Sequence, residues 1–482
     1  MQHSANLLRL WCLILGALLG AACAGQDGPQ PNPTPTSGCP RSDLMDVGIA
    51  VSAGEQASPK VALAADGHAW VTWYSLENGN SNVRAQRLDR DGQPMLTAGG
   101  LLVSDKPSGS WVTDYSLGVD TEGAAIVAVN DVRNGSLGAY AYKLTPAGDP
   151  AWGRDGVLLS RSSAADLYPR LAMSQHGEAV VAWDRVPADG PSSVVVQRLS
   201  GDGSLLWGNG LVTTGTRAAS AQSGFVVPAD GNAVVLVWGE GPGASQDWQF
   251  ILARKIDSQG QALWPADVVV AEGQDIPFLQ KPILEPDDDG GTFVAWMAAD
   301  SHEQVHTFVQ HLDRDGRRTM PAGGVAVSLS TSTNQFEPNL AFVRATREAV
   351  VVWSESSIFQ VERGLSAQRL TLDGARRWGA NGIELIARTE WGPDLAAVRP
   401  TQDSALLVYG ERTSPGAATM RILGAHLSLV DAPAWNPAVL SARVSQKGLP
   451  LLGGTPECGA WAVWQDKNAD EGDIRGSFLA AH

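Results

Sequence analysis

His302-Glu303-Gln304-Val305-His306 spells HExxH, the residue set that holds zinc and a catalytic base when it lies on a helix. On a helix the two imidazoles stand one turn apart and can share an ion. Here the segment follows an alternating run that ends at Trp296 and leads into VHTFVQHL, which alternates as a strand does. Drawn out as a strand, the two histidines stand about 13 Å apart, too far to reach one ion. The spacing therefore predicts a chance match in a loop.

Three acidic turns could hold calcium: Asp89-Arg90-Asp91-Gly92, Asp287-Asp288-Asp289-Gly290 and Asp313-Arg314-Asp315-Gly316. None continues into a full calcium loop with a trailing Glu, and Asp-Gly is equally the chemistry of a hairpin turn. A third series is cationic: Arg87, Lys143, Arg198, Lys255, His311, Arg369 and His426, interrupted by Phe478. Each is expected to pair with a carboxylate in a nearby turn, such as Asp66 or Asp230, and to snorkel outward. No nucleophile elbow, phosphate loop or reactive cysteine with a partner is present. The sequence thus yields no catalytic set, no metal ligands and no cofactor site.

These residues sit on a repeat. Apolar runs end at Trp73, Val129, Trp183, Trp238, Trp296, Trp353, Tyr409 and Trp464, at intervals of 56, 54, 55, 58, 57, 56 and 55 residues. Within each interval a short strand, a Gly turn, the aromatic-ending strand and a third strand follow one another. A phrase such as QRLSGDGSLLWGNGLVTT (Gln197 to Thr214) then leads into a short last strand. Four strands per unit, repeated without helical periodicity, predict an all-β chain of four-stranded antiparallel blades, an eight-bladed β-propeller. The last unit lacks its final strand, and the orphan GIAVS (Gly48 to Ser52) precedes the first unit. The N-terminal strand is therefore expected to complete the last blade and close the ring.

The cysteines agree with closure. Cys39 precedes the orphan strand and Cys458 lies in a turn of the last unit. Both places fall at the same end of one blade, so a Cys39–Cys458 disulfide is expected. Chain-entropy reasoning gives so long a loop roughly 5 kcal/mol.

Near the start of the chain Arg9 precedes the apolar run LWCLILGALLGAA, short for a membrane span and of signal-peptide length. Gly20-Ala21-Ala22-Cys23 resembles a bacterial lipobox, which implies a signal peptide over residues 1–22 and lipidation of Cys23. Residues 23–42, rich in Pro, Gly and Thr, read as a tether, and residues 43–482 as the propeller. In lipoproteins Ala after the lipidated Cys implies outer-membrane delivery, and here that place holds Ala24. The Gly-x-x-x-Trp wording around Trp152, Trp207, Trp264 and Trp378 resembles the tryptophan-docking motif of eight-bladed quinoprotein propellers, which implies a structural docking role for those indoles.

The formal charge of −16 excludes the basic footprint that nucleic acid demands. What remains is an envelope-anchored, non-catalytic binding scaffold, meeting a protein or glycan partner through variable loops. Trp248, Phe250 and Phe359 are its expected exposed anchors. The alternative is a propeller enzyme, carbohydrate-active or hydrolytic, with its site at the channel mouth. Paired carboxylates facing the channel about 5 to 10 Å apart would mark it.

Overall fold

The computed structural model describes residues 38–482 apart from short stretches at 110–113, 244–245, 278–280, 415–416, 430–434, 449, 468–471 and 482. The signal segment, Cys23 and most of the tether fall outside the described residues. Among those described, the chain is all-β. Its one helical turn is a single 3-10 turn at Asp230–Asn232.

The strands form antiparallel sheets. Four sheets have four strands, and two have eight. Each larger sheet is two four-stranded units joined at their edges, by Asp275 opposite Ala299 in one and by Gln446 and Lys447 opposite Lys467 and Asp466 in the other. The N-terminal strand Val47–Ala50 pairs with the final strand Asp473–Ala480, with Val47 opposite Gly476 and Gly48 opposite Arg475. It supplies the edge strand that the last unit lacks.

Along each unit the first strand lies innermost. These strands are Gln56–Leu63, Ser116–Val119, Ala165–Met173, Ser220–Pro228, Ile283–Pro286, Thr333–Val343, Asp394–Pro400 and Leu451–Thr455. Each touches the next in chain order, and the last touches the first. Between the sheets lie apolar clusters. One, for example, seals Trp238, Val234 and Leu236 against Val194, Val196 and Trp207 of the preceding unit. The aromatic marks Trp73, Trp183, Trp238, Trp296, Trp353 and Trp464 are essentially without solvent contact. Their recurrence therefore records burial of large side chains between neighbouring sheets.

The repeated phrase is a structural device. The indole N–H of Trp152 donates to the carbonyl of Gly201 at 3.0 Å, that of Trp207 to Ser258 at 3.1 Å, and that of Trp264 to Arg314 at 3.0 Å. Each tryptophan therefore clips onto the corresponding turn of the next unit. A Cβ at Gly203 would stand 2.9 Å from the ring of Trp152, and one at Gly316 2.6 Å from that of Trp264, so those turns need glycine both for its positive φ and for room. The glutamine of the phrase secures its own connection. Gln197 donates to the carbonyl of Gly208 at 2.9 Å and accepts from the backbone N–H groups of Trp207 and Arg198 at 3.0 Å each, and Gln368 does the same with Gly379, Trp378 and Arg369.

The cationic series pairs as expected but does not snorkel. Arg87 meets Asp66 at 2.7 Å, Lys143 meets Asp120 at 2.9 Å, and His311 meets Asp287 at 2.9 Å. Arg198 pairs with Glu178, Lys255 with Asp230, and Arg369 with Glu348. Arg198 has no exposed surface, and Lys255 and His311 are buried. Arg87, Lys143, Arg198, Lys255 and Arg369 also donate to carbonyls of the next unit, so these pairs are internal ties rather than surface bridges.

Cys39 and Cys458 are joined in a disulfide whose Cα atoms lie 5.2 Å apart across 419 residues of chain. The acidic turns are Asx turns. Asp89 accepts the N–H groups of Asp91 and Gln93, Asp313 those of Asp315 and Arg317, and Asp287 those of Asp289 and Gly291. Asp300 does the same for His302 and Gln304, with Glu303 at φ 62°. HExxH is thus a hairpin turn running into the strand Val305–Leu312, and His306 faces Asp300 at 3.3 Å.

Candidate functional site

Four of the innermost strands carry the same irregularity. Their register slips after Ala57, Leu167, Gln222 and Phe336, and the next residue, Ser58, Tyr168, Ser223 or Glu337, takes φ near +50°. Pro59, Pro169, Gly224 and Pro338 follow. A left-handed non-glycine residue costs of order 1 kcal/mol, and a bulge re-aims the side chains beyond it. Lys60 and Arg170 stand directly after two of these bulges and face a cavity of about 270 Å³. Tyr115, Ser116, Arg399 and Leu451 also line it.

Asp114 joins the two cations, at 3.1 Å from Lys60 and 2.6 Å from Arg170. Burial opposes ionisation of Asp114, but Lys60 and Arg170 outweigh it and hold its carboxyl below the usual range. Tyr115 donates its hydroxyl to the carbonyl of Ser58 at 2.9 Å and stacks edge-on against Tyr74, which fixes the bulge of the first unit. Asp184 accepts the backbone N–H of Gly224 at 3.2 Å and so holds the bulge of the fourth. Its burial pushes its carboxyl up. Lys281 lies 4.4 Å from the ring of Tyr168, and burial beside Arg170 lowers its amine to about 8.

A second cavity of about 240 Å³ opens at the end of the innermost strands where they turn into the aromatic strands. Glu285, Asp288, Phe342, Arg344, Arg399 and Pro456 are among the residues lining it. Arg399 borders both cavities. Burial pushes the Glu285 carboxyl up to about 7, against the pull of Arg399 and the backbone N–H of Phe342. Asp288 faces the same space three residues on, so the two backbone positions lie within about 10 Å. Arg344 holds Asp288 in an ion pair and reaches Glu457 at 3.0 Å. Glu457 adjoins Cys458, so the disulfide anchors one wall of this cavity.

Of the expected loop anchors, Phe359 is 88% exposed, in the turn before the strand Arg363–Leu370. Trp248 is a correction. It begins the strand Trp248–Ile256 and is buried, because Gly239 on the neighbouring strand leaves a hollow that the indole fills. Phe250 lies on the same strand, half-buried, with Arg217 over its ring. Glu285, Arg344 and Arg399 escape the sequence analysis, and Asp288 enters it only as part of an acidic turn. They sit at the ends of innermost strands, and the one sequence sign of their place was the repeat register.

No family model matches this sequence, and no curated protein sequence matches it. Among solved structures, the chain is similar to a polysaccharide lyase (PL25 ulvan lyase), at 9% identity and a TM-score of 0.48, covering 92% of this chain and 96% of that one. It is similar to the polysaccharide lyase Uly1, at 9% identity and 0.46, covering 90% and 92%. It is also similar to an α-L-arabinanase of Penicillium chrysogenum, at 11% and 0.36, covering 67% and 96%. These are likenesses of fold, all-β and propeller-like. The solved structures named here are polysaccharide lyases and an arabinanase rather than quinoproteins, which runs against the expected quinoprotein likeness and the expected non-catalytic scaffold.

Proposed function

We propose that this chain is a carbohydrate-active enzyme on a closed eight-bladed β-propeller, cleaving glycosidic bonds at one mouth of the central channel. The observation that carries this reading is Glu285. A carboxyl held near neutrality, in a cavity that also contains a second carboxylate and two guanidinium groups, suits general acid catalysis. Protonated Glu285 gives its proton to the oxygen of the departing sugar. Asp288, on the same cavity, takes the proton of the attacking water, and Arg344 orients it. The eight first strands touching in sequence and the pairing of Val47–Ala50 with the last unit support closure.

The N-terminus fits delivery to the cell envelope: a signal peptide over 1–22, lipid on Cys23, a tether over 23–42 and the catalytic body beyond, at the outer membrane. Labelling with a lipid precursor in wild type and C23A tests the anchor, and label retained in C23A removes it.

The activity test incubates the purified body with a panel of polysaccharides and counts new reducing ends, with ultraviolet absorbance separating elimination from hydrolysis. The expected result is cleavage of at least one glycan by wild type and a loss of 100-fold or more in E285Q, on the order of a general acid's contribution. Cleavage undiminished in E285Q rejects the assignment.

A further inference from the structure

We infer that the channel takes an acidic glycan, whose carboxylate or sulfate groups are received by Arg399 together with Lys60 and Arg170. This rests on the glycan reading above and names its substrate class. The chain is acidic as a whole, at −16, yet the charged side chains lining the two cavities are Lys60, Arg170, Arg344 and Arg399 against Glu285 and Asp288. Lys60 and Arg170 share one carboxylate, Asp114, and so leave one positive charge between them. Arg399 has no carboxylate within ion-pair distance among the described residues, and its one hydrogen bond goes to the carbonyl of Val398 at 3.1 Å. It is exposed at the one place where both cavities meet.

A guanidinium left without a partner in a concave, partly dry site is poised for a bidentate oxyanion. Other arginines of this protein show the contrast. Arg185 grips Asp166 through two bonds of 2.8 Å, and Arg254 grips Asp267 at 2.6 and 2.7 Å. Arg399 alone at this junction keeps its fork free. Lys281, 4.4 Å from the ring of Tyr168, likewise has no carboxylate in ion-pair contact among the described residues, and of the carboxylates only Asp184 and Asp114 act on it at longer range. A polymer with an acidic group on each sugar would meet Arg399 beside the proposed bond-breaking carboxyl and Lys60 with Arg170 further in. A neutral polymer would leave these charges unpaired and desolvated, which penalises its binding.

The test is calorimetric titration of the purified protein with tetragalacturonate, a sulfated carrageenan tetrasaccharide and neutral cellotetraose, in low and high salt. At least one acidic probe should bind, more weakly as salt rises, and the neutral probe should not. R399Q should weaken acidic binding about tenfold or more, equal to about 1.4 kcal/mol. R399K should recover part of it, with thermal unfolding unchanged in both. Cellotetraose binding as tightly as the acidic probes, no acidic probe binding, or an unaltered R399Q overturns the inference. E285Q separates the two proposals. If acidic binding persists while neither protein cleaves any glycan, the reaction fails and the subsite stands. If neutral glycans are cleaved and acidic ones do not bind, the subsite fails and the reaction stands.

Discussion

Trp207 and Ser258, 51 residues apart, are joined by a hydrogen bond of 3.1 Å from indole to carbonyl, and the same bond recurs one unit before and one unit after. The indole also packs in the cluster between its own sheet and the next. It is therefore both a clip and a part of the core. W207F should lose the hydrogen bond but keep most packing, at about 1 kcal/mol. W207A should lose both, at about 3–5 kcal/mol. Denaturant unfolding of the two variants measures the difference, and equal losses would show that the bond contributes nothing.

Arg198 is fully buried against Glu178 and also donates to the carbonyl of Asn232 in the next unit, at 2.9 Å. Removing Arg198 leaves the carbonyl of Asn232 without its donor and Glu178, 27% exposed, without its cation. R198A should cost about 1–3 kcal/mol, whereas R317A, at a surface pair with 77% of its side chain exposed, should cost well under about 1 kcal/mol. Equal effects in chemical denaturation would refute the internal-tie reading of the cationic series.

The Cys39–Cys458 bond closes nearly the whole chain into one loop. Removing a native disulfide typically costs about 2–5 kcal/mol, and the long loop places this one towards the upper end. Because Glu457 beside it holds Arg344, C39S should also loosen the cavity around Asp288. A calorimetric scan of wild type and C39S should show a lower Tm for the variant, and an unchanged Tm would contradict the prediction.

Glu285 fixes a pH dependence of stability. Its carboxyl ionises at about 7 in the folded protein and near the ordinary value of 4.5 when unfolded. Between these values the folded state binds more protons, so this residue makes stability fall as pH rises from about 4.5 to 7. Asp114 acts in the opposite sense. Its carboxyl lies below the usual range when folded, so its contribution is lost as pH falls through that range. Unfolding free energies across this interval should decline less steeply in E285Q than in wild type. Parallel profiles would show that Glu285 titrates normally.

Much of the architecture is legible in the sequence because burial between sheets repeats. The aromatic marks, the Gln and Trp of the phrase and the orphan strand each recur or go missing at a fixed interval, and each does one packing job per unit. The cationic series is legible for the same reason, although its burial was not, because burial depends on the neighbouring unit's turn. The two cavities were not legible. Glu285, Asp288 and Arg399 recur in no other unit, and contacts between innermost strands bring residues distant in sequence to one cavity. Trp248 was misplaced because an aromatic beside a variable loop reads the same whether it opens to solvent or enters a hollow made by Gly239.

Catalysis by the proton of Glu285 is tested by the pH profile of glycan cleavage in wild type and E285Q. Cleavage by wild type should fall as pH rises through about 7, and E285Q should have little activity at any pH. Cleavage that persists in E285Q with the wild-type profile, or a complete lack of glycan cleavage by the wild-type protein, would contradict it.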